Sequence, residues 1–299
     1  MTFLEEVGRD RVWKVETREE IDYYALTITD DEFELLQDFI VEETGILLNP
    51  AKRELVQNRL RPLLRERKLK TYGEYYEWLV RNQSLEEVLE LIQSITTNKT
   101  EFFRNRFQID YFRKTVVPHL VGLLDKNQEE VRIWSAGCSS GEEPYSLAIC
   151  CLEEAPASYH RRFKIVASDI DRIILGRARE AVYASSRLDK LPPSLAERYF
   201  RPLGDDFRVT ATARGMVEFA ETNLKDDKTW PEGEFDIVFC RNVLIYMRQD
   251  IKRAIINKFH QVLKPEGYLF LGHSETLHGV EAPFEYLEPS IYRKETENQ

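Results

Sequence analysis

The sequence predicts an all-α amino-terminal domain followed by a doubly wound α/β domain that carries a small β-rich insertion. Three observations lead to that class. Apolar residues recur at helical spacing from Thr29 to about residue 97, whereas beyond residue 130 the short runs VRIWSA, FKIVAS, FDIVFC and GYLFLG alternate with helical stretches. The second pattern is that of a parallel sheet with helices on its faces. At 299 residues the chain is twice as long as a typical domain of about 150. Between Tyr183 and Met216 the alternation breaks into Pro-rich and polar text, LPPSLAERYFRPLGDDFRVTATARG, which predicts an insertion of short strands over 183–216.

Residues 1–28 show no period and read as an extension, leaving 29–97 as the helical domain and 98–299 as the α/β domain. Thr29 and Asp30 can cap a helix whose apolar face is Phe33, Leu36, Phe39 and Ile40, and Gly45 ends it. A second helix follows Pro50, a third covers YGEYYEWLVR and a fourth LEEVLELIQSI. Asn98, with Glu101 three residues on, resembles a capping box that opens a further helix at the domain boundary. Later in the chain MVEFA adds a strand, and FEYLEPSIYRK reads as a closing antiparallel pair.

Hydrophobic residues make up 42% of the chain, enough for two cores, and the net charge of −10 argues against nonspecific nucleic-acid binding. Residues 52–70, KRELVQNRLRPLLRERKLK, hold eight basic side chains against Glu54 and Glu66, so one basic face sits on an acidic protein. No apolar run reaches the ~20 residues of a membrane helix, and the charged start MTFLEEVGRDRVWK has no signal-peptide core, which together point to the cytoplasm. Cys138, Cys150, Cys151 and Cys240 form no C-x-x-C pair and the histidines no H-x-x-x-H pair, so reduced thiols and no metal are expected. With no apolar stripe left over after the cores are assigned, a monomer is expected.

The stretch WSAGCSSGEEPYS follows the first strand of the α/β domain. Its Gly137-Cys138-Ser139-Ser140-Gly141 segment matches the G-x-S-x-G elbow of a serine hydrolase with Ser139 as nucleophile. It also suits a small-residue cradle for a cofactor. A triad needs an acid and then a histidine at strand ends; His273 ends a strand, but Asp236 begins one. Asp169 ends the next strand, FKIVAS, where a dinucleotide-type fold places an acid for ribose hydroxyls; the plainer alternative is that it caps the following helix. Glu142 and Glu143 would repel a pyrophosphate and suit a cation such as S-adenosylmethionine, with its ammonium and sulfonium.

These segments resemble the CheR family of chemotaxis receptor methyltransferases. The resemblance runs from Thr29 to Arg293 and rests on GILLNPAKRELVQNRL, TTNKTEFFR, WSAGCSSGEEPYSLA, SDIDRIILGRAREAVY, FDIVFCRNVLIYM and LKPEGYLFLGHSE in that order. It implies a Rossmann-like S-adenosylmethionine-dependent methyltransferase domain, with S-adenosylhomocysteine as product. The implied reaction methylates glutamate side chains on the cytoplasmic helices of membrane chemoreceptors. It further implies cofactor contacts at Asn98, Thr100, Arg104, Glu143, Asp169, Asn223, Leu224, Arg241 and Asn242, with Tyr246 near the methyl group. The spacing leaves Glu142 as the rival to Glu143.

A glutamate acceptor, with a free pKa of ~4.3, is already ionised at neutral pH, so an in-line displacement needs no general base. Arg104 and Tyr246 are the expected catalytic donors to that carboxylate. CRNVLIY lacks the proline of amine and amide methyltransferases, which favours an oxygen acceptor. Arg53 and Arg59 are expected to dock the acidic receptor helix by charge. The resemblance departs in the insertion, which is shorter than in members that bind a receptor's C-terminal pentapeptide, so that tether is expected to be missing. A regulatory S-adenosylmethionine-binding module in a non-flagellar array is the alternative function.

Overall fold

The computed structural model describes residues 21–82, 85–95, 100–126, 129–277 and 279–295, without the side chains of Lys52, Leu85 and Glu86. Helix α1 (Asp30–Thr44) opens on a complete capping box between Thr29 and Glu32 and closes on Gly45 at φ 78°. A single 3-10 turn (Pro50–Lys52) leads into α2 (Arg53–Arg67), followed by α3 (Tyr72–Asn82) and α4 (Leu85–Ile95). Leu36, Ile40, Leu60, Leu64, Tyr72 and Tyr75 are buried at their centre. Arg67 clips the last three helices together: its guanidinium lies 4.4 Å over the Trp78 ring and donates to Glu87 (2.6 Å) and Glu90.

Asn98 of the capping box expected with Glu101 lies outside the described residues, but the helix it was expected to open is absent over 100–105. Phe103 and Asn105 both adopt left-handed φ values (53° and 61°), and α5 starts only at Arg106 (Arg106–Tyr111). The physical reason is packing. Phe102 is buried against Tyr183 and Phe200, and the Phe103 N–H donates to Ser146 Oγ (2.9 Å), which turns the chain before a helix can start. A π-helical turn (Phe112–Val116) then joins α5 to α6 (Val117–Asp125), where Pro118 lacks the N–H that regular phasing would use.

The α/β domain contains β1 (Val131–Ala136), α7 (Glu142–Glu154), β2 (Phe163–Asp169) and α8 (Arg172–Glu180). The insertion follows as β3 (Val182–Ala184), α9 (Pro193–Tyr199), β4 (Phe200–Leu203), β5 (Asp206–Val209) and the short α10 (Ala211–Arg214). The chain returns through β6 (Val217–Glu221), β7 (Phe235–Cys240), α11 (Gln249–Val262), β8 (Leu263–Leu271), β9 (Phe284–Glu288) and β10 (Ile291–Lys294). Seven strands form one sheet in the order β6-β2-β1-β7-β8-β10-β9, parallel except for the closing β9–β10 pair. Central strands are mostly apolar; β7, for example, is buried at every position, with Asp236 its one charged residue. The insertion forms a separate antiparallel sheet, β3-β5-β4.

Edge strand β4 has a specific chemistry. Leu203 pairs with Asp206 across a two-residue turn, so Phe200 and Pro202 are the β4 residues whose main chain faces outward. Proline has no N–H, the Phe200 N–H is taken by Ala196 O, and the Phe200 carbonyl accepts from Arg201 (2.9 Å). No helix among the described residues is long and apolar enough to cross a membrane.

Candidate functional site

The strand order reverses at β1, which has β2 on one side and β7 on the other. In an open parallel sheet such a switch point leaves a crevice outside the carboxyl ends of the strands. A cleft of about 310 Å³ lies there, floored by the loops that leave β1, β2, β6 and β7 and roofed by Thr44, Ile46 to Asn49, Leu55 and Val56 of the helical domain. The roof is held by main-chain pairing: Leu47 N–H donates to Tyr246 O (2.7 Å), and Arg248 N–H to Gly45 O (3.3 Å).

The floor is shaped by the loop after β1. Gly137 and Cys138 both donate to Ser168 O (2.7 and 2.8 Å), and Ser139 N–H donates to Asp169 Oδ2 (2.8 Å). Gly137 is at φ 82°, and a Cβ there would come well inside 3.0 Å of Val243 Cγ2, so glycine is required for both dihedral and space. The helix after β2 is capped by Asp171, which accepts from Ile173 and Ile174 N–H (2.9 and 3.0 Å). Asp169 is thereby left to face the cleft, and burial pushes its carboxyl up to about 6.

The two loop glutamates point in different directions. Glu142 is fully buried away from the cleft, accepting from Ser140 Oγ (2.6 Å) and paired with Arg187 (2.7 Å). Glu143 lines the cleft, accepts from Ser135 Oγ (2.7 Å) and lies 3.5 Å from the Arg241 guanidinium. Burial raises the Glu143 carboxyl above its ordinary value and Arg241 opposes that shift; burial likewise lowers the Arg241 guanidinium, with Glu143 opposing. Arg241 also donates to Arg104 O (2.6 Å) and so ties the β7 end to the domain junction.

Thr100, Arg104, Glu143, Asp169, Asn223, Leu224, Arg241, Asn242 and Tyr246 all line this one cleft. Asn98 lies outside the described residues. Asn223 spends its carboxamide within the protein, donating to Glu43 O (2.8 Å) and accepting from Lys225 N–H (3.0 Å), so it fixes the roof against the floor. Arg53 and Arg59 do not line the cleft. Arg53 pairs with Asp30 and stacks over Phe33, and Arg59 donates to Ile95 O (2.7 Å) one turn from cleft-lining Leu55. The Ser139 hydroxyl is buried in the cleft, but no histidine lines it among the described residues, so the elbow lacks a base to activate it.

The description "CheR methyltransferase, SAM binding domain" matches residues 98–292, and "CheR methyltransferase, all-alpha domain" matches residues 31–96. This chain belongs to the CheR methyltransferase family. It is 38% identical over 272 residues to a chemotaxis protein methyltransferase of Borreliella burgdorferi, covering 90% of this chain and 96% of that protein. It is 36% identical over 271 residues to the chemotaxis protein methyltransferase of Escherichia coli, covering 89% and 92% respectively. The α/β domain is thus the family's S-adenosylmethionine-binding domain and the protein a chemotaxis methyltransferase. Its cleft suits that cofactor: carboxylates at Glu143 and Asp169 for a cation and hydroxyls, a buried Ser139 hydroxyl with no protein partner, and a floor at Gly137 that a Cβ would fill.

One residue escaped the sequence reading. Glu275 is fully buried, and its carboxylate accepts from main-chain N–H groups of the loop after β7. Its signal is the acid three residues after Gly272, the residue that follows β8, in GHSE. Because Val243 packs onto Gly137, a Gly137→Ala variant is expected to lose about 1–3 kcal/mol of stability. Urea unfolding checks this, and titration with S-adenosylhomocysteine should show weakened binding in the same variant.

Proposed function

We propose that this methyltransferase acts in the cytoplasm on glutamate side chains of chemoreceptor helices, forming methyl esters. The observation that carries this reading is the make-up of the cleft: acidic groups on its floor, and Arg104 and Tyr246 as hydrogen-bond donors among its lining. Asp169 accepts from the ribose diol, and Glu143 faces the ammonium. Arg241 and Asn242 hold the β7 side, Thr100 and Arg104 the junction side, and Asn223 with Leu224 the adenine end. S-adenosylmethionine supplies a methyl group activated by its sulfonium.

The protein's share of the chemistry is alignment and exclusion of water. The acceptor carboxylate arrives ionised, so no proton has to be removed, and two donors suffice to hold its oxygen. Leu47, Leu55, Ile245 and Tyr246 are part-exposed apolar side chains of the cleft lining, and a receptor helix seated on them would dry the site. Arg53 and Arg59 lie on α2, which also supplies Leu55, and exposed Arg65, Lys68 and Lys70 extend its basic surface toward an acidic helix.

Calorimetric titration with S-adenosylmethionine and S-adenosylhomocysteine, alongside methyl transfer to chemoreceptor cytoplasmic fragments, tests the reading. Both ligands should bind, and Asp169→Ala should abolish binding. Binding with no transfer to any receptor fragment would favour a regulatory module instead. Ribose hydroxyls donate to the ionised carboxylate, so ligand binding favours loss of the Asp169 proton. Affinity should therefore be flat above neutral pH and fall about tenfold per unit below the Asp169 value of about 6, a dependence absent in Asp169→Asn.

The outward edge of β4 has no free N–H, because Pro202 has none and that of Phe200 is used, which disfavours strand addition by a tether at that edge. A receptor lacking its C-terminal pentapeptide should be methylated as fast as the intact receptor. Measurable affinity for the free pentapeptide would contradict this.

A further inference from the structure

The loop Arg241–Met247 leaves β7 at the cleft and carries Arg241, Asn242 and Tyr246, yet it contains only a short 3-10 turn at Leu244–Tyr246. Its shape is imposed from behind. Glu275 is 0% exposed, and its Oε2 accepts from Asn242 N–H (2.9 Å) and Gly272 N–H (2.5 Å) while Oε1 accepts from Val243 N–H and Ile245 N–H (3.1 Å each). A carboxylate has about four lone-pair sites, and main-chain donors occupy all of them here. Such charge-assisted bonds offset the cost of burying the anion.

The carboxylate is itself tightly held. Glu275 N–H donates to Gly272 O (2.9 Å), and a Cβ on Gly272 would fall 2.5 Å from Glu275 Oε2 and 2.7 Å from Asn242 N. On the opposite side Val243 rests on Gly137. The loop is therefore pinched between two glycines and pinned by one anion, with Asn242 held at φ 61°. Tyr246 follows Ile245 directly, its N–H bonded to Val243 O (3.2 Å) and its carbonyl to Leu47. We propose that Glu275 is a positioning residue for methyl transfer: by pinning the N–H groups of Asn242, Val243 and Ile245 it sets where Tyr246 meets the acceptor.

This inference rests on the glutamate-methylating reading above and adds to it a residue that never touches the substrate. Glu275→Gln keeps the size but turns one oxygen into an NH2 group that faces main-chain N–H groups. Gly272→Ala disturbs the same carboxylate without altering charge. The experiment measures S-adenosylhomocysteine affinity by calorimetry and kcat for a chemoreceptor fragment that the wild type methylates. It does so for wild type, Tyr246→Phe, Glu275→Gln and the double variant, with Gly272→Ala as an independent probe. Wild-type failure to bind or transfer would overturn the functional reading itself and is seen before any variant is compared.

Glu275→Gln is expected to lower kcat at least about 30-fold while the S-adenosylhomocysteine Kd stays within about threefold, a split that general unfolding would not produce. Adding Tyr246→Phe to Glu275→Gln should cost less than about twofold more, because the two act through one contact. Gly272→Ala, whose Cβ would also meet Asn242, should lower kcat by far more than it weakens S-adenosylhomocysteine binding, and it decides the matter if Glu275→Gln does not fold. The proposal is overturned if the Tyr246 and Glu275 effects multiply independently, if kcat and affinity fall in parallel, or if kcat stays near wild type in the folded variants.

Discussion

The cleft depends on one buried ion pair. Arg241, with its side chain 3% exposed, meets Glu143 at 3.5 Å through Nη1 and donates from Nη2 to the Arg104 carbonyl (2.6 Å). Burying two charges is costly, and the pair repays that only through good geometry and further hydrogen bonds; breaking it by removing one partner typically costs about 3–5 kcal/mol. Here it joins three segments distant in sequence: the helix after β1, the end of β7 and the junction turn around Arg104. Glu143 also accepts from Ser135 on β1, so the strand, the helix start and the far wall of the cleft are linked through one carboxylate.

Around that pair the backbone is forced into unfavourable conformations. Phe103, Asn105, Ser139 and Asn242 all have positive φ, and all lie in the junction turn or in the loops leaving β1 and β7. Such residues persist only where neighbours over-determine them. Ser139 is held by Asp169, Asn242 by Glu275, and Phe103 by Ser146, each through its own N–H. Asp169 therefore has two structural bonds to keep, to Ser139 and Asp171, before any ligand arrives. The same carboxylate shapes the loop and faces the cleft.

Much of this was legible in the residues. The helix and strand periods, the cap at Thr29 and stop at Gly45, and the acid ending the second strand are local signals, and each appears where the spacing put it. The helix expected to open at Asn98 and Glu101 is absent over 100–105 because distant packing prevails there: Phe102 is buried against Tyr183 and Phe200, and the chain turns to reach them. The choice between Glu142 and Glu143 was not legible because it depends on Arg187 and Arg241, which lie far along the sequence. Glu275 stayed hidden for the same reason: the acid of GHSE is visible, but its partners are main-chain N–H groups of a loop far earlier in the chain. The basic run of α2 was visible, but not that Arg53 and Arg59 have partners in Asp30 and Ile95.

A crystal structure with S-adenosylhomocysteine bound tests the cleft assignment most directly. The ribose hydroxyls should lie on Asp169, the amino group on the Glu143 side, and the sulfur toward Tyr246, with the Arg241–Glu143 pair intact. A ligand whose ribose avoids Asp169, or a complex in which Arg241 has left Glu143, would contradict it.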